Sequence, residues 1–177
     1  MTGSSRGDGA IRTIPELLAH ALAMETEAAE RYGELAVQME THRKTAVAAI
    51  FRRLERAEAK HLGALNELCK TMALPHYAPW DFKWSGAESP EAIDTGKVSY
   101  QLTVQGAVLL ALEHERKALE FYSRIADAAT DADVRTMARQ FAEEEQEHVG
   151  WLESWLAACG PADSVAQEDP DPPLGQE

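Results

Sequence analysis

The sequence predicts an all-α domain: a four-helix bundle made of two duplicated helical hairpins joined by a long crossover. Apolar residues recur at helical spacing over four long segments, and a stretch rich in proline, glycine and aromatic residues separates the second segment from the third. The second half of the chain also repeats residues of the first half at matched positions. Helices of about 26 residues would each span roughly 39 Å, so they must pack side by side.

The first helix is predicted over residues 14–39, after a tail of small and polar residues, 1–12, that we expect to be disordered. Thr13 is typical of a helix N-cap, and a proline and a glutamate follow it in the first turn. A second helix is predicted over residues 44–72, where apolar side chains recur along one face. These two helices form the first hairpin.

The crossover covers residues 74–102, where proline and glycine interrupt the helical pattern. A connection of this length indicates a passage between distant helix ends rather than a tight turn. Its aromatic side chains are expected to anchor it to the bundle, and they are Tyr77, Trp80, Phe82 and Trp84.

Helical spacing resumes over residues 103–129, and again from residue 131 or 133 to residue 158, where a Gly-Pro pair stops it. We therefore expect the bundle to occupy residues 13–159. The remaining residues, 160–177, are acidic and rich in proline, so we expect a second disordered tail there.

Composition limits the kind of protein before any motif is considered. With 177 residues, 45% of them apolar, the chain is long enough for one domain with a continuous core and too short for two ordinary ones. Its net charge of −13 opposes binding to nucleic acid or to an anionic membrane. Cations are the natural small partners of such a chain, although many soluble proteins are equally acidic.

Cysteine usage and hydrophobicity favour a cytoplasmic protein. Cys69 and Cys159 lie far apart and outside any Cys-x-x-Cys pair, which disfavours a disulfide framework and a thiolate zinc site. The chain has no run of about 18 apolar residues, and residues 1–10 lack the apolar stretch of a signal peptide. We therefore expect neither export nor membrane insertion.

The duplication aligns acidic, imidazole and phenol side chains of the two hairpins. A shift of 90 positions superimposes the first helices of the two hairpins, and a shift of 87 superimposes the second helices. The matched pairs are Glu25 with Glu115, Tyr32 with Tyr122, Glu58 with Glu145 and His61 with His148.

These matched side chains predict a buried site for two metal ions. Each Glu-x-x-His pair puts a carboxylate and an imidazole one helical turn apart on the same face, so both can reach one ion. The first helix of each hairpin supplies one further carboxylate. The candidate ligands are Glu25, Glu58, His61, Glu115, Glu145 and His148.

The types of these ligands favour iron or manganese. All six fall among apolar positions, where an unpaired ionised carboxylate would be very costly and metal coordination is the usual remedy. Four carboxylates balance two divalent ions, and oxygen with imidazole suits iron or manganese better than a closed thiolate zinc site. We also expect the second nitrogen of each histidine to donate to a carboxylate or carbonyl.

Each feature also has a simpler interpretation. A lone Glu-x-x-His pair is commonplace on a solvated helix face, but two pairs at equivalent points of a duplication are harder to explain in that way. Tyr32 and Tyr122 each follow a candidate ligand by seven residues. They are either packing residues or hydrogen-bond donors to a ligand carboxylate, and as donors they are candidates for a role in catalysis.

Over residues 13–158 the sequence resembles the rubrerythrin and bacterioferritin branch of the ferritin-like superfamily. The segments that carry the resemblance are Glu25-Thr-Glu-Ala-Ala-Glu-Arg-Tyr32, Glu58-Ala-Lys-His61, Glu115-Arg-Lys-Ala-Leu-Glu-Phe-Tyr122 and Glu145-Gln-Glu-His148. The resemblance implies that Glu25 and Glu115 are terminal iron ligands, that Glu58 and Glu145 bridge two irons, and that each histidine binds one iron. It further implies oxidation of ferrous iron by dioxygen or hydrogen peroxide.

Departures from the family pattern refine these expectations. The chain lacks the cysteine knuckles of a rubredoxin module, so a peroxidase cycle would need an external electron donor. Ala118 stands where rubrerythrins carry an extra glutamate, which weakens the case for their peroxidase chemistry. Ala59 stands where bacterioferritins carry a haem-binding methionine, so we expect no haem. The proline-rich tail disfavours the fifth helix of a cage-forming ferritin.

Three hypotheses of function remain open. The first is a di-iron oxidoreductase of the ferroxidase or peroxidase type, with manganese or mixed occupancy as a variant. The second is a non-catalytic iron-binding or storage protein of the ferritin type. The third is a catalytically silent helical scaffold, which the retention of all six ligands disfavours. Four amphipathic helices with an aromatic crossover also predict a homodimer, because symmetric dimers are the commonest closed assembly.

Overall fold

The computed structural model describes residues 10–84, 86, 88–95, 98–99 and 101–159. Within this part of the chain, four long helices account for most residues and no strand is present. The helices are α1 (Ile14–Thr41), α2 (Thr45–Cys69), α3 (Val104–Ala128) and α4 (Ala132–Ala158). α1 packs mainly on α2 and α3 mainly on α4, which confirms the predicted all-α bundle of two hairpins.

The predicted tails lie largely outside the described residues, which leave out 1–9 and 160–177. Ile11 is an exception, because it belongs to the stretch predicted to be a tail and yet its side chain is buried in the core. The packed chain therefore begins before Thr13. None of the helices in the described part is long and apolar enough to cross a membrane.

Capping side chains fix where three of the helices begin. The Thr13 hydroxyl accepts a hydrogen bond from the backbone N–H of Glu16, whose carboxylate accepts in return from the N–H of Thr13, completing a capping box. Thr103 caps α3 in the same way through the N–H of Gly106. Asp131 accepts from two N–H groups at the start of α4, so α4 follows Asp131 directly. Each such cap contributes about 1 kcal/mol.

The crossover is anchored to α1 by the buried side chain of His20. Its Nδ1 donates to the Glu16 carbonyl at 2.8 Å, and its Nε2 accepts from the backbone N–H of Lys83 at 2.9 Å. Burial lowers the pKa of His20, so the ring stays neutral with one donor and one acceptor, as this arrangement requires. Three aromatic rings of the crossover surround His20, and they belong to Tyr77, Phe82 and Trp84.

Trp80 was expected to be a fourth anchor, and that expectation is wrong. It lies in a short 3-10 helix, Pro79–Asp81, and its side chain is 83% exposed. The short helix turns this ring away from the bundle, while the extended residues that follow direct Phe82 and Trp84 inward. Residues 80, 82 and 84 would share one face of an extended chain, but the short helix breaks that alternation, so the sequence predicted one anchor too many.

A layer of buried acids divides the core into two apolar clusters. On α1, Glu25 lies between Met24, which belongs to one cluster, and Ala28, which belongs to the other. The helices that carry the other acids show the same arrangement, with one cluster on each side of Glu58, Glu115 and Glu145. The bundle therefore holds its acidic layer at mid-height, with apolar packing above and below it.

Candidate metal centre

Each helix contributes one buried carboxylate to the acidic layer. The four side chains are no more than 3% exposed, and they are Glu25, Glu58, Glu115 and Glu145. His61 and His148 each lie one turn beyond the acid of their own helix, and their side chains are 16% and 13% exposed. The duplication thus places equivalent side chains at equivalent depth, because matched positions of two similar hairpins face the same interior.

The six predicted ligands converge on one region of the interior. Three groups of side chains each bring three donor atoms to within 4.8 Å of one another. The groups are Glu58 with His61 and His148, Glu25 with His61 and Glu145, and Glu115 with Glu145 and His148. Every predicted ligand belongs to at least one group, and the three groups share members, so they form a single cluster that we call the acid–imidazole cluster.

Both imidazoles direct Nδ1 toward the carboxylates. Nδ1 of His148 lies 2.9 Å from Glu115 Oε2 and 3.3 Å from Glu58 Oε1. Nδ1 of His61 lies 3.8 Å from Glu25 Oε2 and from Glu58 Oε2. The rings are parallel within 4°, with centroids 4.8 Å apart. Each carboxylate–imidazole contact spans two helices or one helical turn, so the cluster ties the four helices together.

The second nitrogen of each histidine does not meet the expectation from the sequence. Neither Nε2 makes a hydrogen bond to another residue in the described part of the chain. The reason is position, since both rings are partly exposed at the edge of the cluster. Their orientation is set instead by stacking on each other and by the carboxylates that face Nδ1.

Several oxygen and nitrogen atoms of the cluster that could bind a metal are buried without a hydrogen-bond partner in the described part of the chain. They are Oε2 of Glu25, both carboxylate oxygens of Glu58, Nδ1 of His61 and Oε2 of Glu145. Leaving such atoms unpaired costs roughly 1–3 kcal/mol each, and more when the group is charged. A bound cation would satisfy all of them at once. The donor set, made of carboxylate oxygens and imidazole nitrogens, therefore fits a pair of divalent transition-metal ions.

The electrostatics of the cluster point to the same conclusion. Burial raises the pKa of Glu58 well above its ordinary value, and the neighbouring carboxylates of Glu115 and Glu25 raise it further. The pKa of Glu145 is raised by burial and then by the nearby acids, first among them Glu91. Without a cation, burial and mutual repulsion disfavour the ionised form of these carboxyls, and a bound metal ion would favour it.

Glu91 is a buried acid that sequence reasoning missed. It lies in the crossover, where no helical periodicity marks which side chains face inward, and it has no equivalent in the first hairpin. Its side chain is nevertheless 1% exposed. The one signal in the sequence was its position directly after Pro90, because proline favours a turn that can direct the next side chain inward.

Both tyrosines connect one hairpin to the other. The Tyr32 hydroxyl donates to Glu115 Oε1 at 2.8 Å, and the Tyr122 hydroxyl donates to Glu25 Oε1 at 3.4 Å. Both rings are fully buried, and burial followed by the nearby carboxylates raises the pKa of each phenol, so both remain protonated donors. Packing and hydrogen bonding, which the sequence left as alternatives, are therefore combined in the same residues.

Replacing Tyr32 with Phe should weaken metal binding while the bundle stays folded. The variant keeps the buried ring but leaves Glu115 Oε1 without its donor, and loss of such an orienting hydrogen bond typically costs 10–100-fold in metal affinity. Calorimetric titration with Mn²⁺ measures the change. Tyr122→Phe should show a smaller effect, because its bond is longer at 3.4 Å. Wild-type affinity in both variants would mean that the two hydroxyls serve packing alone.

The fold and the site together define a ferritin-like four-helix bundle with an acid–imidazole cluster at its centre. The chain belongs to the rubrerythrin family, whose family model matches residues 16–156. A crystal structure of an uncharacterized conserved protein from Magnetospirillum magnetotacticum MS-1 is similar, with 34% identity and a TM-score of 0.68. That likeness covers 86% of this chain and 99% of the other. No curated protein matches the chain.

Proposed function

We propose that the protein is a di-iron oxidoreductase that oxidises ferrous iron with hydrogen peroxide or dioxygen. One observation carries the proposal: four buried carboxylates and two inward-facing imidazole nitrogens meet in one cluster, with several donor atoms left unpaired. Membership of the rubrerythrin family supports iron as the metal, with manganese or mixed occupancy as a variant. Two bound iron ions would supply one electron each, which with two protons reduce one hydrogen peroxide to two waters.

Six side chains would hold the ions. Glu58 and Glu145, one on the second helix of each hairpin, would contact both ions, while Glu25 and Glu115 would each contact one. His61 and His148 would each bind one ion through Nδ1. This assignment is the one that the resemblance to rubrerythrins implies, and membership of that family supports it.

The remaining residues around the cluster would orient the ligands and exclude water. Tyr32 and His148 contact opposite oxygens of Glu115, at 2.8 and 2.9 Å, so this carboxylate is held from both sides. The two apolar clusters close the site above and below. Preorganised ligands in a dry interior lower the reorganisation that accompanies a change in metal charge.

Cations could reach the cluster from the side of the histidines. A depression of about 400 Å³ between α2 and α4 is lined by His61 and by three acids of α4, Glu143, Glu144 and Glu147. Acidic side chains at the mouth of a site raise the local concentration of cations. His61 lies both in this depression and in the acid–imidazole cluster, so it would be the first ligand that an entering ion meets.

Anaerobic titration with ferrous iron, followed by addition of oxidant, tests the proposal. Calorimetry of the metal-free protein should show saturation at two ions per chain. Hydrogen peroxide or dioxygen should then oxidise the bound iron faster than it oxidises free ferrous iron in the same buffer, as followed by absorbance. Uptake of much more iron than two ions per chain into a large shell would instead support the storage hypothesis. Failure to bind iron would refute both.

The partners of the protein are part of the same proposal. Continued turnover requires an external electron donor, which we place in a reducing cytoplasm because Cys69 and Cys159 are free thiols.

We also propose a homodimer, supported by exposed apolar side chains such as Val37 and Leu109. Sedimentation at micromolar concentration measures this, and a clean monomer would refute the dimer. With a net charge of −13, neither nucleic acid nor membrane is proposed as a partner.

A further inference from the structure

Glu91 is a buried acid of the crossover, and no hydrogen bond within the described part of the chain stabilises its carboxylate. Its side chain is 1% exposed, and neither carboxylate oxygen has a hydrogen-bond partner among the residues that the structure describes. A buried carboxyl of this kind is costly whether it is ionised or protonated, because even the neutral group loses its hydrogen bonds to water. Several contacts of neighbouring residues nevertheless hold the backbone around Glu91 in place.

Three contacts fix the backbone around Glu91. The N–H of Ala92 donates to the Ser89 carbonyl at 3.1 Å, and the His114 ring donates through Nδ1 to the Pro90 carbonyl at 3.4 Å. Ile93, two residues further on, is buried in the apolar cluster on one side of the acidic layer. His114 directly precedes Glu115, so the turn that carries Glu91 is tied to α3 beside a predicted ligand.

Glu91 lies close enough to the acid–imidazole cluster for its carboxyl group and those of the cluster to act on one another. After burial itself, the carboxylates of Glu58, Glu115 and Glu25 are the main causes that raise its pKa. Glu91 in turn is the first acid that raises the pKa of Glu145, and it also acts on both buried tyrosines. A side chain that interacts with acids from all four helices lies beside the centre of the bundle rather than against one helix.

We propose that Glu91 is a seventh metal-binding side chain of this centre, supplied by the crossover rather than by a helix. The inference rests on the proposed function to the extent that ions occupy the acid–imidazole cluster. Glu91 belongs to none of the three close groups, so its side chain must close on the ion when one is bound. Coordination of a metal ion would satisfy both carboxylate oxygens of Glu91. It would also give a role to the contacts that position the turn around this residue.

The test compares Glu91→Gln with Glu88→Gln. Glu88 lies on the same crossover and is exposed, so its replacement controls for a change of charge in this segment. Calorimetric titration of the metal-free proteins with Mn²⁺ should show roughly 10–100-fold weaker binding of at least one ion in Glu91→Gln. Glu88→Gln should bind like wild type. Metal-free Glu91→Gln should melt no lower than wild type, and this control would show that its fold is intact.

Binding of two Mn²⁺ ions by Glu91→Gln with wild-type affinity would overturn the inference. Glu58→Gln, measured in parallel, separates this result from failure of the proposed function: if Glu58→Gln loses affinity and Glu91→Gln does not, only the role of Glu91 is refuted. Unchanged affinity in both variants would refute the metal centre itself. A crystal structure of the Mn²⁺-loaded wild type provides a readout that needs no variant, and a Glu91 carboxylate outside coordination distance of both ions would overturn the inference directly.

Discussion

Replacing Glu58 with Gln should remove at least one metal ion from the centre and leave the metal-free bundle as stable as wild type or more stable. Glu58 is fully buried and faces both histidines, and within residues 10–159, as far as the structure describes them, neither of its oxygens has a hydrogen-bond partner. Gln keeps the size of the side chain but removes one negative charge from between two cations. Affinity for one ion should fall by at least tenfold, about 1.4 kcal/mol or more.

The same substitution should not harm the metal-free fold, because the buried carboxylates repel one another when no cation is present. Removing one ionisable group from such a cluster relieves part of that repulsion. The expected signature is therefore opposite in the two states: the melting temperature of the metal-free variant is equal or higher, and the increase on adding metal is smaller. Oxidation of ferrous iron by peroxide should be lost together with the ion.

Two further variants complete this experiment. Glu145→Gln should behave like Glu58→Gln, because the duplication makes the two positions equivalent and both are buried. Glu67→Gln is the matched control, since Glu67 is an exposed acid of the same helix that forms an ion pair with Lys70. Equal iron stoichiometry and unchanged oxidation in Glu58→Gln and Glu145→Gln would exclude the enzyme hypothesis.

The metal-free protein should lose stability as the pH rises, and bound metal should reverse this dependence. Burial raises the folded-state pKa of Glu58, Glu91 and Glu145 well above the ordinary value of 4.5. At a pH between 4.5 and those raised values, the unfolded chain has released protons that the folded chain still holds. The contribution of these carboxyls to the free energy of unfolding is therefore largest below pH 4.5 and falls as the pH rises through their folded-state pKa values.

Each such group can change stability by up to about 1.4 kcal/mol per pH unit. Histidines also change the stability of the metal-free protein with pH. The carboxylate of Glu25 raises the pKa of His61, so the stability that His61 contributes is also lost as the pH rises. Burial lowers the pKa of His20 and His114, so the stability that these two residues contribute increases with pH up to about 6.5. Above pH 6.5 the contributions of His20 and His114 are complete, so a fall in melting temperature there reflects the buried carboxyls together with His61.

Thermal unfolding in the presence of a chelator, and again with saturating Mn²⁺, measures the effect. The metal-free melting temperature should fall as the pH is raised above 6.5, while the increase due to Mn²⁺ should grow, because ions replace protons more easily at higher pH. Glu58→Gln should have a shallower slope, since it lacks one titrating group. A flat metal-free profile in this window would show that the buried carboxyls have already ionised below it.

The sequence by itself determined the four helices and the six side chains of the acid–imidazole cluster. Helical periodicity identifies which residues face the interior, and matched positions of a duplicated hairpin must lie at similar depth. Glu25 and Glu115 could therefore be paired without knowledge of the fold, although they are 90 residues apart. Thr13 as an N-cap was equally predictable, because capping depends on neighbours within one helical turn.

Only the tertiary structure decided which residues of the crossover face inward. The crossover has no regular period, so the direction of each side chain depends on contacts with distant helices. For this reason the sequence could not separate the exposed Trp80 from the packed Trp84, nor identify Glu91 as a buried acid. The pairing of Tyr32 with Glu115, 83 residues away, likewise depends on how the two hairpins pack. Periodicity fixes the face on which a side chain lies, whereas its partner is fixed by packing between elements that are remote in the chain.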